Sequence, residues 1–315
     1  MTALALWCVG PAQVEIRAAE LGDGVLVETL YSGISRGTER LVFQGKVPRD
    51  EYTRMRCRAQ EGDFPHPVKY GYCAVGRVME GDLAGQVVFG LIPHQTAFRM
   101  REDALTLLPE DLPPKRAVLG ANMETALNIL WDAKAGAGDK ILIIGTGVVG
   151  ALTGYLASRL PGAEVTLSDI NPDRAKIAAR LGCDFTAPEA APKDCDIVIH
   201  LSASSHGLST AMRCAGNEAT IIEASWYGDE TTAVPLGGAF HSRRLNLISS
   251  QVGQVSTSRR TRWSFKRRLT KALELLRDPT LDLLISGETG FEDLPSRYGA
   301  ILSDPATLCH RIRYT

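Results

Sequence analysis

The sequence predicts an α/β protein in which a β-rich N-terminal part precedes a doubly wound parallel sheet. Two observations carry this expectation. An apolar run at 141–144 feeds into three spaced glycines, Gly145, Gly147 and Gly150, and then into a helix-compatible stretch over 151–160. The chain also changes texture at Ala117, from short alternating runs to strands separated by helical segments, which implies a parallel sheet.

The β-rich part is read from residues 14–17, 24–31, 71–78 and 86–89, short apolar-alternating runs broken by glycine, proline and aspartate. Periodicity fails over 45–67, where charges and prolines gather, so that segment reads as a long loop or lid. Residues 109–114 read as a connector. A helix is expected over 117–133, with Val118, Ala121, Thr125, Leu127, Leu130 and Trp131 crowding one side. Strands follow at 164–168, 195–201, 219–223 and 245–249. An amphipathic helix is expected over 262–277, where Phe265, Leu269, Ala272, Leu273 and Leu276 recur at helical spacing. The expected organisation is 1–115, 116–250, and a C-terminal segment 251–315 too small to stand alone, which packs back on the first part. Ligand chemistry is then expected in a cleft between domains, at the carboxyl ends of the parallel strands.

The continuous aliphatic run at 141–144 is the signature of a buried parallel strand. Gly145 permits the tight turn after it, Gly147 lets the backbone approach a pyrophosphate, and Gly150 lets the helix lie close on the strand. Thr146, Val148 and Val149 complete the loop, and the helix N-terminus beyond it favours an anion. Asp169 ends the next strand, about twenty residues past the glycines, as a dinucleotide fingerprint requires. A carboxylate there accepts from ribose hydroxyls and repels a 2′-phosphate. The following residue is Ile170 rather than an arginine, which favours NAD over NADP.

The chain has 315 residues and a net charge of −1, so no electrostatic case arises for nucleic acid or an anionic membrane. No run reaches the roughly 18 apolar residues of a spanning helix. The N-terminal residues lack the basic, apolar pattern of a signal peptide. Seven cysteines, scattered and never in Cys-x-x-Cys spacing, argue against a disulfide framework or a structural zinc lobe. A cytoplasmic setting and a small-molecule substrate are expected. Arg259, Arg260, Arg262, Lys266, Arg267 and Arg268 form one basic cluster. It reads as a solvated helix face, with anion binding as the alternative, and Trp263 and Phe265 within it read as core anchors.

Four motifs together resemble the medium-chain dehydrogenase/reductase superfamily of the zinc-type alcohol-dehydrogenase-like kind, over essentially the whole chain. They are Tyr-Ser-Gly-Ile-Ser-Arg-Gly-Thr-Glu at 31–39, Val-Lys-Tyr-Gly-Tyr-Cys-Ala-Val-Gly at 68–76, the 121–127 helix and the glycine triplet. The form of residues 33–40 is nearer to bacteriochlorophyllide hydroxyethyl dehydrogenase-like proteins. The resemblance implies a GroES-like β-rich catalytic domain, a Rossmann dinucleotide-binding domain and a C-terminal return. It also implies a possible homodimer made by joining Rossmann sheets edge to edge.

Zinc members of that family hold their catalytic metal with a cysteine in Gly-Ile-Cys, a Gly-His-Glu pair and a third ligand before the Rossmann fold. Here Ser35 takes the cysteine position, Tyr72 and Cys73 replace the His-Glu pair, and the third region offers Ala121, Asn122 and Glu124. Zinc takes Cys, His or carboxylate ligands, so no zinc is expected. Without the metal, the charge that develops on a reacting oxygen falls to hydrogen-bond donors or a general acid. The candidates are Tyr72, Glu124 and His94, with Ser35 and Thr38 as a relay through the cofactor ribose. Arg36 reads either as a pyrophosphate ligand or as part of a surface ion pair. His200 sits where the family's sheet meets the nicotinamide half of the cofactor, or is structural. The implied function is a zinc-independent NAD-linked oxidoreductase acting on a secondary alcohol or ketone. The alternatives are an enone or quinone reductase, or a non-catalytic NAD(H)-binding protein.

Overall fold

A computed structural model describes residues 2–314. Its first compact unit comprises the residues up to Ala121 and those from Lys266 onward, and its second is Asn122–Phe265.

Strand Val25–Ser35 organises the first unit. It pairs antiparallel with Ala74–Val78, with Cys309–Arg313 and, through its first half, with Ala97–Met100. The sheet continues on one side to Ile285–Gly290 and on the other to Val87–Gly90 and Thr106–Leu107. A second sheet runs in the order Gln13–Ala19, Ala3–Gly10, Val68–Lys69, Glu61–Gly62. Val27, Val78, Val88, Ile92 and Phe98 fill the core between these elements. The second half of Val25–Ser35 is buried on both faces, which draws Ser32 and Ser35 into the interior. Serines so placed need partners, and that need shapes the site described below.

Between 45 and 67 the chain forms mostly turns, with a short helical turn at Arg49–Glu51 and the brief strand Glu61–Gly62. The amphipathic helix spans Phe265–Leu275 and buries Arg268, Leu269, Ala272 and Leu273. Two expectations fail here. Phe265 is 55% exposed, because it opens the helix beyond the packed face, and Arg268, only 1% exposed, is not solvated. The basic cluster is thus broken up: Lys266 Nζ donates to the Asp103 carbonyl, and Arg259 lies over the Trp131 ring.

The second unit holds a six-stranded parallel sheet in the order Asp184–Thr186, Glu164–Ser168, Lys140–Ile144, Cys195–His200, Ala215–Glu223, Asn246–Ser249. Sequence order reverses at Lys140–Ile144, which has Glu164–Ser168 on one side and Cys195–His200 on the other. This is the topological switch point at which open α/β sheets bind ligands. Leu142, Ile144, Val198 and Ile221 pack against Leu208, Ala211 and Met212 of helix Ser205–Cys214. Ala215–Glu223 begins earlier than its apolar run suggests, with a register shift between Cys195 and Ile197. Helix Gly120–Ala133 also departs from expectation. Met123, Ala126 and Ile129 are its deepest residues, whereas Thr125, Leu127 and Trp131 are half-buried. Apolar residues ring this helix, so periodicity did not identify its deepest side. Among the described residues no helix is long and apolar enough to cross a membrane.

Candidate active site

The glycine turn of the second unit has the geometry its sequence implies. Gly145 has φ +100°, and a Cβ there would lie 2.9 Å from the Leu201 carbonyl carbon and the Ser202 nitrogen. Only glycine meets both constraints. A Cβ on Gly150 would lie 2.0 Å from the Gly145 oxygen, so helix Val148–Ala157 rests directly on the turn. Around Gly147 no atom lies within 4 Å of the Cβ position. The backbone is therefore open to an approaching group at the helix N-terminus. Val148 is buried and Val149 half-buried, and the Val149 carbonyl accepts from Thr153 Oγ1.

Asp169 ends strand Glu164–Ser168 and accepts from the Thr146 amide at 2.7 Å and the Asn171 amide at 2.9 Å. Each carboxylate oxygen keeps a second lone pair for a further donor. Thr146 is fully buried, and its hydroxyl has no hydrogen-bond partner among the described residues. An unpaired buried hydroxyl beside an open glycine turn fits a polar ligand that completes the site. Glycines, helix terminus and carboxylate together fit a dinucleotide.

At the carboxyl end of the neighbouring strand, His200 is fully buried. Its Nδ1 lies 2.7 Å from Glu223 Oε2 and its Nε2 2.6 Å from Ser202 Oγ. Tyr227 donates to Glu223 Oε2 at 3.0 Å, and the Ser225 amide donates to Glu223 Oε1 at 2.8 Å. Burial works against the Glu223 carboxylate, yet the hydrogen bonds from His200 and Ser225 leave it below the ordinary glutamate range.

In the first unit, the Tyr72 hydroxyl is hydrogen-bonded to the side chains of Ser35 and Thr38. Burial, with Cys73 and Glu39 nearby, pushes the Tyr72 hydroxyl above the usual tyrosine range, so it remains protonated. Beneath them lies a chain of buried polar groups. Tyr314 Oη is 2.9 Å from Ser32 Oγ, which is 2.8 Å from His94 Nδ1. His94 Nε2 lies 2.9 Å from Glu39 Oε2, which also accepts from the Tyr298 hydroxyl at 2.7 Å. Glu39 Oε1 accepts from the Ser35 amide at 2.7 Å.

The fold thus brings Tyr72, Ser35 and Thr38 together and links Ser35 to His94 through Glu39. Glu124 belongs to the second unit, buried on helix Gly120–Ala133. Arg36 Nε donates to the Leu302 carbonyl within the first unit. Sequence reasoning missed Glu39, Ser32, Tyr298 and Tyr314. Glu39 carried one usable signal, an acid in the first turn of helix Arg36–Phe43 that reaches back to the residue before it, much as in a capping box. The tyrosines carried none.

No family model matches the chain. D-guloside 3-dehydrogenase of Escherichia coli (strain K12) is 22% identical over 308 residues, covering 88% of this chain and 85% of that protein. The crystal structure of L-idonate 5-dehydrogenase from Escherichia coli superposes with a TM-score of 0.79 at 14% identity, covering 99% of this chain and 98% of that one. A protein named short chain alcohol dehydrogenase (rspB) from E. coli CFT073, solved with NADH, gives a TM-score of 0.76 at 14% identity, covering 100% of this chain and 99% of that one. Another chain of this fold was solved with NADPH, so the fold is common to both cofactors. In its fold the chain is thus similar to dehydrogenases that bind a nicotinamide cofactor.

Proposed function

We propose that this protein is a zinc-independent, NAD-linked oxidoreductase that interconverts a secondary alcohol and a ketone. The observation that carries the proposal is the Tyr72 hydroxyl, kept protonated and held between Ser35 and Thr38. Relatives named as a D-guloside 3-dehydrogenase and an L-idonate 5-dehydrogenase support a secondary carbinol on a hydroxylated small molecule as substrate. NAD, when bound, supplies the hydride acceptor.

The donor set argues against zinc. Ser35 and Tyr72 offer neutral hydroxyls, and among the described residues no three His, Cys, Asp or Glu side chains are grouped to hold a metal ion. Tyr72 is instead the donor to the substrate oxygen: it gives its proton as a ketone is reduced and is reprotonated through Ser35 and Thr38, and in the oxidative direction it passes its own proton to that relay as it takes the proton of the alcohol. Ser35 and Thr38 orient that hydroxyl. Glu39 fixes the Ser35 backbone, and His94 supports Glu39 from behind. Asp169, followed by the exposed Ile170 rather than a basic residue, supports NAD over NADP. Edge strand Asn246–Ser249, with Leu247 37% and Ile248 40% exposed, supports a homodimer. Cysteines without disulfides support a reducing, cytoplasmic setting.

The test is Tyr72→Phe in metal-analysed protein, screened on secondary alcohols with NAD. Turnover falls about 100-fold or more while NADH affinity is unchanged. Stoichiometric zinc that is required for turnover overturns the proposal, as does a Tyr72→Phe enzyme of full activity.

A further inference from the structure

The Glu223–His200–Ser202 chain belongs to the second unit, and the partners of Glu223 fix its Nδ1 end. Glu223 receives donors from the Ser225 amide and the Tyr227 hydroxyl and faces His200 Nδ1. A carboxylate accepts only, so Nδ1 carries a proton. In the neutral imidazole Nε2 is then a bare acceptor, and the Ser202 hydroxyl at 2.6 Å must donate to it. In that state the proton of Ser202 is committed inward. Ser202 is an exposed residue, and its oxygen then presents only lone pairs to whatever lies outside.

The surroundings preserve this arrangement. A Cβ on Gly207 would fall 2.3 Å from Ser202 Oγ and 2.5 Å from His200 Nε2, so helix Ser205–Cys214 closes over the pair only because residue 207 is glycine. The trio has the order of a nucleophilic Ser-His-Glu relay, but the amide of Ala203, next in the chain after Ser202, is taken by Ser225 Oγ at 3.1 Å. The following amide that stabilises an oxyanion in a nucleophile elbow is therefore occupied. The position indicates a different role. The Ser202 backbone abuts the Gly145 turn. It follows the strand on the opposite side of Lys140–Ile144 from Asp169. With the adenosine ribose at Asp169, the other half of a dinucleotide extends over the side where Ser202 lies.

We infer that Ser202, oriented by Glu223 through His200, accepts a hydrogen bond from a donor on the nicotinamide half of the cofactor, either the carboxamide amino group or a ribose hydroxyl. Ser202 is the binding residue, and His200 and Glu223 are positioning residues. The inference rests on the dinucleotide reading above and extends it by assigning a selective contact.

The experiment titrates the full-length protein with NADH, ADP-ribose and ADP by calorimetry. Ser202→Ala weakens NADH about tenfold, the loss of one hydrogen bond, and leaves ADP unchanged. Ser202→Thr, which keeps the hydroxyl, retains NADH affinity. Weakening of ADP-ribose as well identifies the ribose hydroxyl, whereas weakening of NADH alone identifies the carboxamide. An imidazole nitrogen NMR spectrum, assigned by loss of the His200 signals in His200→Gln, shows Nδ1 protonated and Nε2 bare. Equal weakening of all three ligands, unchanged NADH affinity in Ser202→Ala, or a proton on Nε2 overturns the inference while the dinucleotide reading stands. If wild-type protein binds none of the three, the dinucleotide reading itself falls, and the inference falls with it.

Discussion

Gly147→Ala separates folding from cofactor binding more cleanly than any other change in the glycine turn. Gly147 has φ −71° and ψ −176°, a conformation any residue adopts, and nothing lies within 4 Å of its Cβ position. A methyl group there meets no protein atom. The only folding cost is the poorer N-cap preference of alanine, about 1 kcal/mol at most. In a chain of this size that moves the melting temperature by no more than about 4 °C. A phosphate approaching the backbone does meet the methyl group, and overpacking of this kind costs about 1–3 kcal/mol. NADH affinity therefore falls by about 5- to 150-fold. Gly150→Ala is the contrasting case. Its Cβ would sit 2.0 Å from the Gly145 oxygen, well inside the contact distance of about 3.3 Å, so helix or turn must move by about 1 Å. That variant loses both stability and affinity. The assay is NADH fluorescence titration beside thermal unfolding. A Gly147→Ala protein that melts normally and binds NADH as tightly as wild type refutes the placement of the pyrophosphate.

Three further outcomes follow from the buried groups. Glu39→Ala strands the Ser35 amide, the Tyr298 hydroxyl and His94 Nε2. It should cost about 3–6 kcal/mol in urea unfolding, while Glu39→Gln, which still accepts from Ser35, costs less than about 2 kcal/mol; a loss below about 1 kcal/mol for the alanine variant contradicts the hub role. The lowered Glu223 carboxyl contributes stability that is fully present above the unfolded glutamate value, near pH 4.5, and lost as pH falls through its lower folded value. The stability gap between wild type and Glu223→Gln should therefore close on acidification, and a gap that widens instead reverses the sign. Burial pushes the Cys8 and Cys57 thiols up to about 12, so at pH 8 about one part in ten thousand of each is thiolate. Neither should react with iodoacetamide in the native protein, as peptide mapping by mass spectrometry would reveal.

What the sequence disclosed, and what it withheld, divides along contact distance in the chain. The strand, turn and helix around Gly145, Gly147 and Gly150 are local, and Asp169 lies close to them in the chain; only Leu201 and Ser202, which crowd Gly145, come from further away. The parallel order around Lys140–Ile144 follows from the same local alternation. The Tyr72–Ser35–Thr38 cluster was legible only through the family motifs that contain it. The network beneath was not legible, because Tyr298 is 259 residues from Glu39 and Tyr314 is 282 residues from Ser32. Nothing in a tyrosine near the C-terminus announces such a partner. Phe265 and Arg268 misled for a related reason. Helical spacing indicates which residues share a face, but the burial of Arg268 and exposure of Phe265 depend on where the helix starts and what packs against it.

Strand Cys309–Arg313 lies directly beside Val25–Ser35, at the opposite end of the sequence. Every residue of the second unit is made before that strand exists, so the second unit can finish folding while the first still lacks an inner strand. During synthesis the edge of Val25–Ser35 that takes this strand stays unpaired, with Ser32 lacking its tyrosine, until residues 309–314 emerge from the ribosome. Stop codons a few residues upstream of Cys309 would accordingly leave a folded second unit attached to an unfinished, aggregation-prone first one.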